Sequence, residues 1–156
     1  MKPSPIELDA TDRRLLALLQ DDCAQTNDLL ASRAHVSPAT SLRRVRRLVE
    51  AGVIERRIAI VNPAAAGGVT AIVEVTLEQQ SAELLDHFEA QVAVAAEVQQ
   101  CYRVASGPDF VLVVLVSDVA AYHAFAHRVL TAQANVRNVR SFFAVKRGKF
   151  EPKVPL

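Results

Sequence analysis

Ser37-Pro38-Ala39-Thr40-Ser41-Leu42-Arg43-Arg44-Val45-Arg46-Arg47-Leu48-Val49-Glu50-Ala51-Gly52 is a helix bounded by its own start and stop signals. Ser37 offers an N-cap oxygen, Pro38 suits the first helical position because an N–H there would go unpaired, and Gly52 ends the run. Leu42, Val45, Leu48 and Val49 recur at helical spacing and define the expected buried stripe. At about 100° per residue, Thr40, Arg43 and Arg47 fall opposite that stripe, with Ala39, Arg44 and Arg46 on its flanks. The outward face is therefore cationic. Arginine forks onto guanine edges or clamps phosphate, and threonine bonds a base or touches a thymine methyl, so the pattern fits a helix lying in the major groove. On this reading Arg43 and Arg47 contact bases, while Arg44 and Arg46 hold phosphates. A merely solvated charge face is the alternative, disfavoured by four arginines without an acidic partner before Glu50.

Upstream, Leu15, Leu16, Leu18 and Leu19 predict an amphipathic helix over residues 9–21, with Asp9 as its N-cap. Asn27 is the expected cap of a shorter helix carrying Leu29, Leu30 and Ala34, and His35-Val36 makes a tight connection to Ser37-Pro38. Two short helices joined by a tight turn, with a first helix packed across them, form a helix-turn-helix unit. Val53-Ile54 and residues 58–61 read as two short strands around Glu55-Arg56-Arg57, the continuation expected of a winged variant, and Asn62-Pro63 closes it. Ser37, Pro38, Ala39, Thr40, Arg43, Arg44, Arg46, Arg47, Arg56 and Arg57 are thus the candidate DNA contacts.

After a small-residue linker at 63–68 the periodicity changes. Val69, Ala71, Val73, Val75 and Leu77 alternate with polar residues as a half-buried strand; Ser81 caps a helix bearing Leu84, Leu85, Phe88 and Val92. Residues 98–104 and 110–116 are strands around Ser106-Gly107-Pro108. Ser117 or Asp118 caps a helix with Val119, Tyr122, Phe125, Ala126 and Val129 on one face, and residues 139–146 make a last strand. The order β-α-β-β-α-β is that of a ferredoxin-like sandwich, so the fold class is α+β: a winged helix-turn-helix domain (1–62), the linker, a ferredoxin-like domain (69–146) and a basic tail (147–156) expected to be a solvated arm. Both helices cover one face of the sheet, yet Phe110-Val111-Leu112-Val113-Val114-Leu115-Val116 does not alternate. Something apolar must cover the second face. A second copy of the chain is the economical answer, a folded-back linker or N-terminal domain the other.

The chain has 156 residues, 51% hydrophobic and 22% charged, which excludes disorder and collagen-like repeats. No apolar run approaches the length of a bilayer span, no signal peptide is evident, and Cys23 and Cys101 form no disulfide framework, so the expectation is a cytoplasmic protein with no membrane contact. Net charge is +1 overall but is divided as +2, −4 and +3 over residues 1–62, 63–145 and 146–156. Residues 33–57 alone hold seven Arg and two Glu. His123 and His127 lie one helical turn apart, but no third ligand stands at metal-binding spacing. No phosphate-binding glycine motif, nucleophile elbow or H-E-x-x-H is present, and no cofactor, metal or catalytic residue is expected.

Leu8-Asp9 with Asp12, the turn ending Val36-Ser37-Pro38, the run Arg44-Val45-Arg46-Arg47-Leu48, then Gly52-Val53-Ile54 and Asn62-Pro63 resemble, in order and spacing, the Lrp/AsnC family of bacterial and archaeal transcription regulators. The second half resembles that family's ligand-sensing RAM domain in Val98-Gln99, Cys101-Tyr102, Val104 and the loop before Phe110. The resemblance implies double-stranded DNA as partner, homodimers through the RAM sheet that assemble into tetramers or octamers, and a small effector, usually an amino acid, bound between RAM domains. One departure stands out. The family loop usually runs Gly-Asp-x-Asp, where this chain has Ser106-Gly107-Pro108-Asp109, keeping only the last acid. The candidate effector residues are Ala105, Ser106, Gly107 and Asp109, completed by Arg140 and Ser141 of a neighbouring subunit. An amino acid needs an acceptor for its ammonium and donors for its carboxylate; Asp109 and the Ser106 and Gly107 amides supply them. Two other functions fit the same resemblance: a sirohaem decarboxylase-like enzyme, which has no need of outward arginines, and an architectural protein that wraps DNA with little sequence preference.

Overall fold

The computed structural model describes residues 7–62, 65 and 67–156. They divide into two units: residues up to Ile60 together with Phe150–Leu156, and Val61–Lys149. Pro63, Ala64 and Ala66 of the expected linker lie outside the described residues, as does the proline that was to close the wing.

The first unit holds α1 (Ala10–Asp21), α2 (Asn27–Ala34) and α3 (Pro38–Glu50). Asp9 caps α1 in a reciprocal box: its carboxylate accepts from Asp12 N at 2.8 Å, and Asp12 returns the bond to Asp9 N at 3.3 Å. Thr26, not Asn27, caps α2; the Asn27 amide instead donates to the Pro38 carbonyl at 2.9 Å and ties the starts of α2 and α3 together. His35 closes α2 in the left-handed region at φ 58°, which turns the chain sharply enough for Ser37 to start α3. Leu15, Leu30, Ala34 and Val45 form the core among the three helices.

Two expectations fail around α3. Leu42 and Val49 are exposed, and the buried residues are Ser41, Val45 and Leu48, so the stripe is rotated by roughly 40° toward Arg44. Nor do Val53-Ile54 and residues 58–61 form strands. Gly52, at φ 70°, donates to Val49 and Val53 donates to Leu48, a Schellman closure that takes the amides a ladder would need; Ile54 also donates to Leu48. Residues 55–60 are exposed and pair with no strand.

The second unit is a four-stranded antiparallel sheet of order β2-β3-β1-β4, from β1 (Val69–Leu77), β2 (Val98–Arg103), β3 (Phe110–Val116) and β4 (Val136–Phe143). Helix α4 (Ala82–Ala93) and helix α5 (Val119–Phe125), which continues as a π-helical turn over Ala126–Thr131, supply Phe88, Val92, Tyr122, Phe125 and Leu130 to the core. Ser81 and Asp118 are the caps. The last strand runs Val136–Phe143 rather than 139–146, because its register with β1 ends where Phe143 pairs with Ala71. Phe110, Leu112, Val114 and Val116 point to the helices, whereas Val111, Val113 and Leu115 are half-buried on the opposite face beside Ile72 and Phe142.

The tail is not a solvated arm. The Gln20 side chain receives the Val154 N–H at 2.7 Å and donates to the Val154 carbonyl at 3.1 Å, and Lys153 meets Asp21 at 2.7 Å. An amide side chain matches a backbone unit donor for acceptor, so Gln20 satisfies both backbone groups of Val154 at once. Truncation after Lys149 is expected to accelerate amide exchange in the last turn of α1 and leave the sheet amides unchanged, as measured by hydrogen–deuterium exchange.

Candidate DNA-reading helix and effector loop

Helix α3 carries the first candidate site. Ser37 Oγ accepts from Thr40 N at 3.2 Å and donates to Thr40 Oγ1 at 2.9 Å, so both hydroxyls help start the helix. Pro38 and Ala39 are exposed beside them, and Arg43 and Arg46 are exposed further along the helix. Arg44 and Arg47 do not. Arg44 Nη1 lies 2.7 Å from Asp9 Oδ2 and 2.9 Å from Asp12 Oδ1, while Arg47 Nη2 bonds Asp12 Oδ2. The Asp12 side chain is fully buried. Expectation had placed all four arginines outward, with Arg47 reading bases and Arg44 on phosphate; two of them instead neutralise an acid on α1.

The reason lies in the rotation of α3. A carboxylate buried at the third position of α1 must find counter-charges, and turning α3 toward it brings Arg44 and Arg47 down while Leu42 and Val49 come up. Asp12 was missed as a site residue. Its spacing from Asp9 signals a capping box, but its second role depends on a helix 32 to 35 residues away. Arg56 and Arg57 remain exposed in the unpaired segment after α3.

The hairpin between β2 and β3 carries the second. Val104 N donates to the Asp109 carbonyl at 3.0 Å and closes a loop in which Ser106 has φ 69° and Gly107 φ 109°. Glycine takes such a conformation freely; Ser106 takes it against the steric preference of its Cβ. Ala105, Ser106 and Gly107 are exposed. Asp109 is anchored: its amide donates to Val75 at 2.9 Å and its Oδ2 accepts from Leu77 N at 2.7 Å, pinning the loop to the end of β1.

Arg140 and Ser141 leave β4 on opposite faces. Arg140 pairs with Glu74 at 3.3 Å and stacks on Phe142, on the face away from the helices. Ser141 points to the helices and bonds the Tyr122 hydroxyl. Ser141 is therefore committed inside its own subunit, a correction to the expected set, whereas Arg140 is available to a neighbour. Among the described residues no group of three or more His, Cys, Asp or Glu is placed to hold a metal.

Comparison with known proteins agrees with this geometry. A winged helix-turn-helix DNA-binding family matches residues 8–55, and the Lrp/AsnC ligand binding domain matches residues 70–154. The chain belongs to the Lrp/AsnC family. This Lrp/AsnC chain is 38% identical to the leucine-responsive regulatory protein of Rhizobium meliloti over 145 residues, covering 92% of this chain and 93% of that one. An AsnC family transcriptional regulator from Agrobacterium tumefaciens superposes with a TM-score of 0.85 at 34% identity, covering 95% of this chain and 97% of its own. A transcriptional regulator from Neisseria meningitidis, solved in complex with L-Met, gives 0.85 at 28% identity over 96% and 97%. The family members compared are transcription regulators.

Acid tests the ion cluster. The Asp9 carboxyl is lowered from 3.8 to about 2, chiefly by the Asp12 amide and then by Arg44. A carboxyl whose folded value is depressed adds stability that is complete above its ordinary value and is lost as pH falls through the folded one. The first unit should accordingly loosen between about pH 4 and pH 2, and Asp9→Asn should remove that part of the transition, followed by far-UV circular dichroism and carboxyl NMR titration.

Proposed function

We propose that this protein is a sequence-specific DNA-binding regulator, not an enzyme, that works in the cytoplasm as a homodimer or a larger even assembly and responds to an amino acid or a similar zwitterion. The observation that carries the DNA reading is the exposed pair Arg43 and Arg46 beside Pro38, Ala39 and the helix start, on the second helix of a capped helix-turn-helix. Arg43 reads base edges and Arg46 holds phosphate; Arg56 and Arg57 add backbone attraction from the segment after α3. Val111, Val113, Leu115, Ile72 and Phe142 support dimerisation, because a half-buried apolar face of this kind requires a cover and a second copy carries its own.

The effector reading rests on the 105–109 loop. Asp109 uses one oxygen on Leu77, and a carboxylate accepts at both, so an ammonium can join it. The Ser106 and Gly107 amides and Arg140 of a neighbouring subunit would receive the carboxylate. The L-Met complex of the Neisseria meningitidis regulator supports an amino acid as the ligand class.

Arg43→Ala should cost about 1–3 kcal/mol and relax preference at particular base pairs, while Arg46→Ala should weaken every duplex alike and reduce the salt slope by about one. Fluorescence anisotropy on a selected duplex and its point variants reads both; equal, sequence-independent losses would remove the base-reading role of Arg43. For the effector, a thermal-shift screen of the twenty amino acids should find a stabiliser worth about 2.7 kcal/mol at a hundredfold excess over its dissociation constant. Asp109→Asn, which retains an acceptor for Leu77 N–H, should abolish that shift.

A further inference from the structure

Four arginines stand within five residues on α3, yet only Arg43 and Arg46 face solvent with nothing from α1 upon them. Asp12 has no exposure, and each of its oxygens is engaged by a guanidinium: Oδ1 by Arg44 at 2.9 Å and Oδ2 by Arg47 at 2.5 Å. With Asp9, the cluster of two carboxylates and two guanidiniums is neutral. Arg44 has a second acid in Asp9, whereas Asp12 is the ion-pair partner found for Arg47 among the described residues. Arg47 is also the more exposed of the two, with 43% of its side chain open to solvent against 21% for Arg44.

The cluster is not ideal as a stabilising device. Arg44 Nε and Arg47 Nε are both buried without a hydrogen-bond partner. Buried donors are ordinarily satisfied, and an arrangement that leaves two orphaned invites a reason other than stability. Charge supplies one. A DNA-binding helix with four free arginines would attract any duplex strongly, since each phosphate neutralised releases counterions whatever the sequence. A further phosphate contact tightens every duplex alike, so it adds no discrimination and only holds the protein more strongly on competing DNA.

We propose that Asp12 is a positioning residue that limits sequence-independent DNA affinity: it withholds Arg47 from DNA, with Arg44 locked behind it, so that α3 presents Arg43 and Arg46 instead of a fully basic face. The proposal rests on the reading of α3 as the DNA-contacting helix. Asp12 touches no base. It acts through Arg47, and its loss should strengthen nonspecific binding rather than weaken it, the reverse of what a purely structural residue would do.

The test uses the full chain, a duplex selected from a randomised pool, and a random-sequence duplex of equal length, titrated between 50 and 200 mM salt. An unsubstituted chain that prefers no duplex over another would overturn the regulator reading itself, before any variant is compared. Given that preference, Asp12→Asn, which keeps the side-chain shape and removes the charge, should bind the random duplex about fivefold to tenfold more tightly at the lowest salt. Its salt slope should steepen by about one per subunit on both duplexes, with the ratio between them kept. Adding Arg47→Gln to it should remove the excess. Equal weakening on both duplexes would make Asp12 structural only and overturn the proposal. Should Asp12→Asn not fold, Arg47→Gln alone decides, because Asp12 keeps Arg44 and gains the glutamine amide. An unchanged slope and affinity on the selected duplex uphold the sequestration of Arg47; a slope reduced by one with a tenfold loss makes Arg47 a phosphate contact and overturns it.

Discussion

A carboxylate with no solvent exposure governs the N-terminal unit. Asp12 sits in the first turn of α1, where it closes the capping box with Asp9, and it reaches across to Arg44 and Arg47 of α3. Removing one partner from a fully buried ion pair costs about 3–5 kcal/mol; the figure is smaller here because both guanidiniums retain contact with water. Its geometric effect is larger than its energetic one. The acid sets the rotation of α3, and the rotation decides which side chains reach the surface: Leu42, Arg43, Arg46 and Val49.

The ferredoxin-like unit is organised on a different principle. Its interior is apolar throughout, with Phe88 against Phe110 at 4.7 Å between ring centroids and β1 and β3 contributing alternate residues. Polar order appears at its margins. Asp109 pins the hairpin loop to the end of β1, Arg103 spans Asp86 and Glu89, and Tyr122 is bonded to Ser141. The loop thus combines an anchored acid with an exposed tip at Ser106 and Gly107, of which Ser106 is held in the left-handed region. That combination suits a ligand contact, since the backbone there is presented to solvent while its base is held rigid.

Chain ends and connections also depart from what periodicity alone suggests. Residues 147–156 carry three basic side chains and one acid, the charge bias of a free arm, yet Gln20 clasps Val154 through both halves of its amide. Residues 58–61 have the apolar, β-branched composition of a strand and no partner strand, because a strand exists only where a neighbour offers its ladder.

Local chemistry alone determined much of this protein. Helix starts at Asp9, Ser37 and Ser81, the stop at Gly52, the strands at Val69–Leu77 and Phe110–Val116 and the βαββαβ order follow from caps and periodicity, which act over a few residues. The helix-turn-helix arrangement of α2 and α3 was legible for the same reason. Tertiary structure decided the rest: that Leu42 and Val49 are exposed, that Arg44 and Arg47 serve Asp12, that Arg140 and Ser141 part to opposite faces of β4, and that the tail returns to α1. Each depends on a partner tens of residues away, and helical spacing fixes only the relative angles of side chains around an axis. The absolute rotation of that axis is set by what it packs against, and for α3 the strongest claim comes from a buried negative charge.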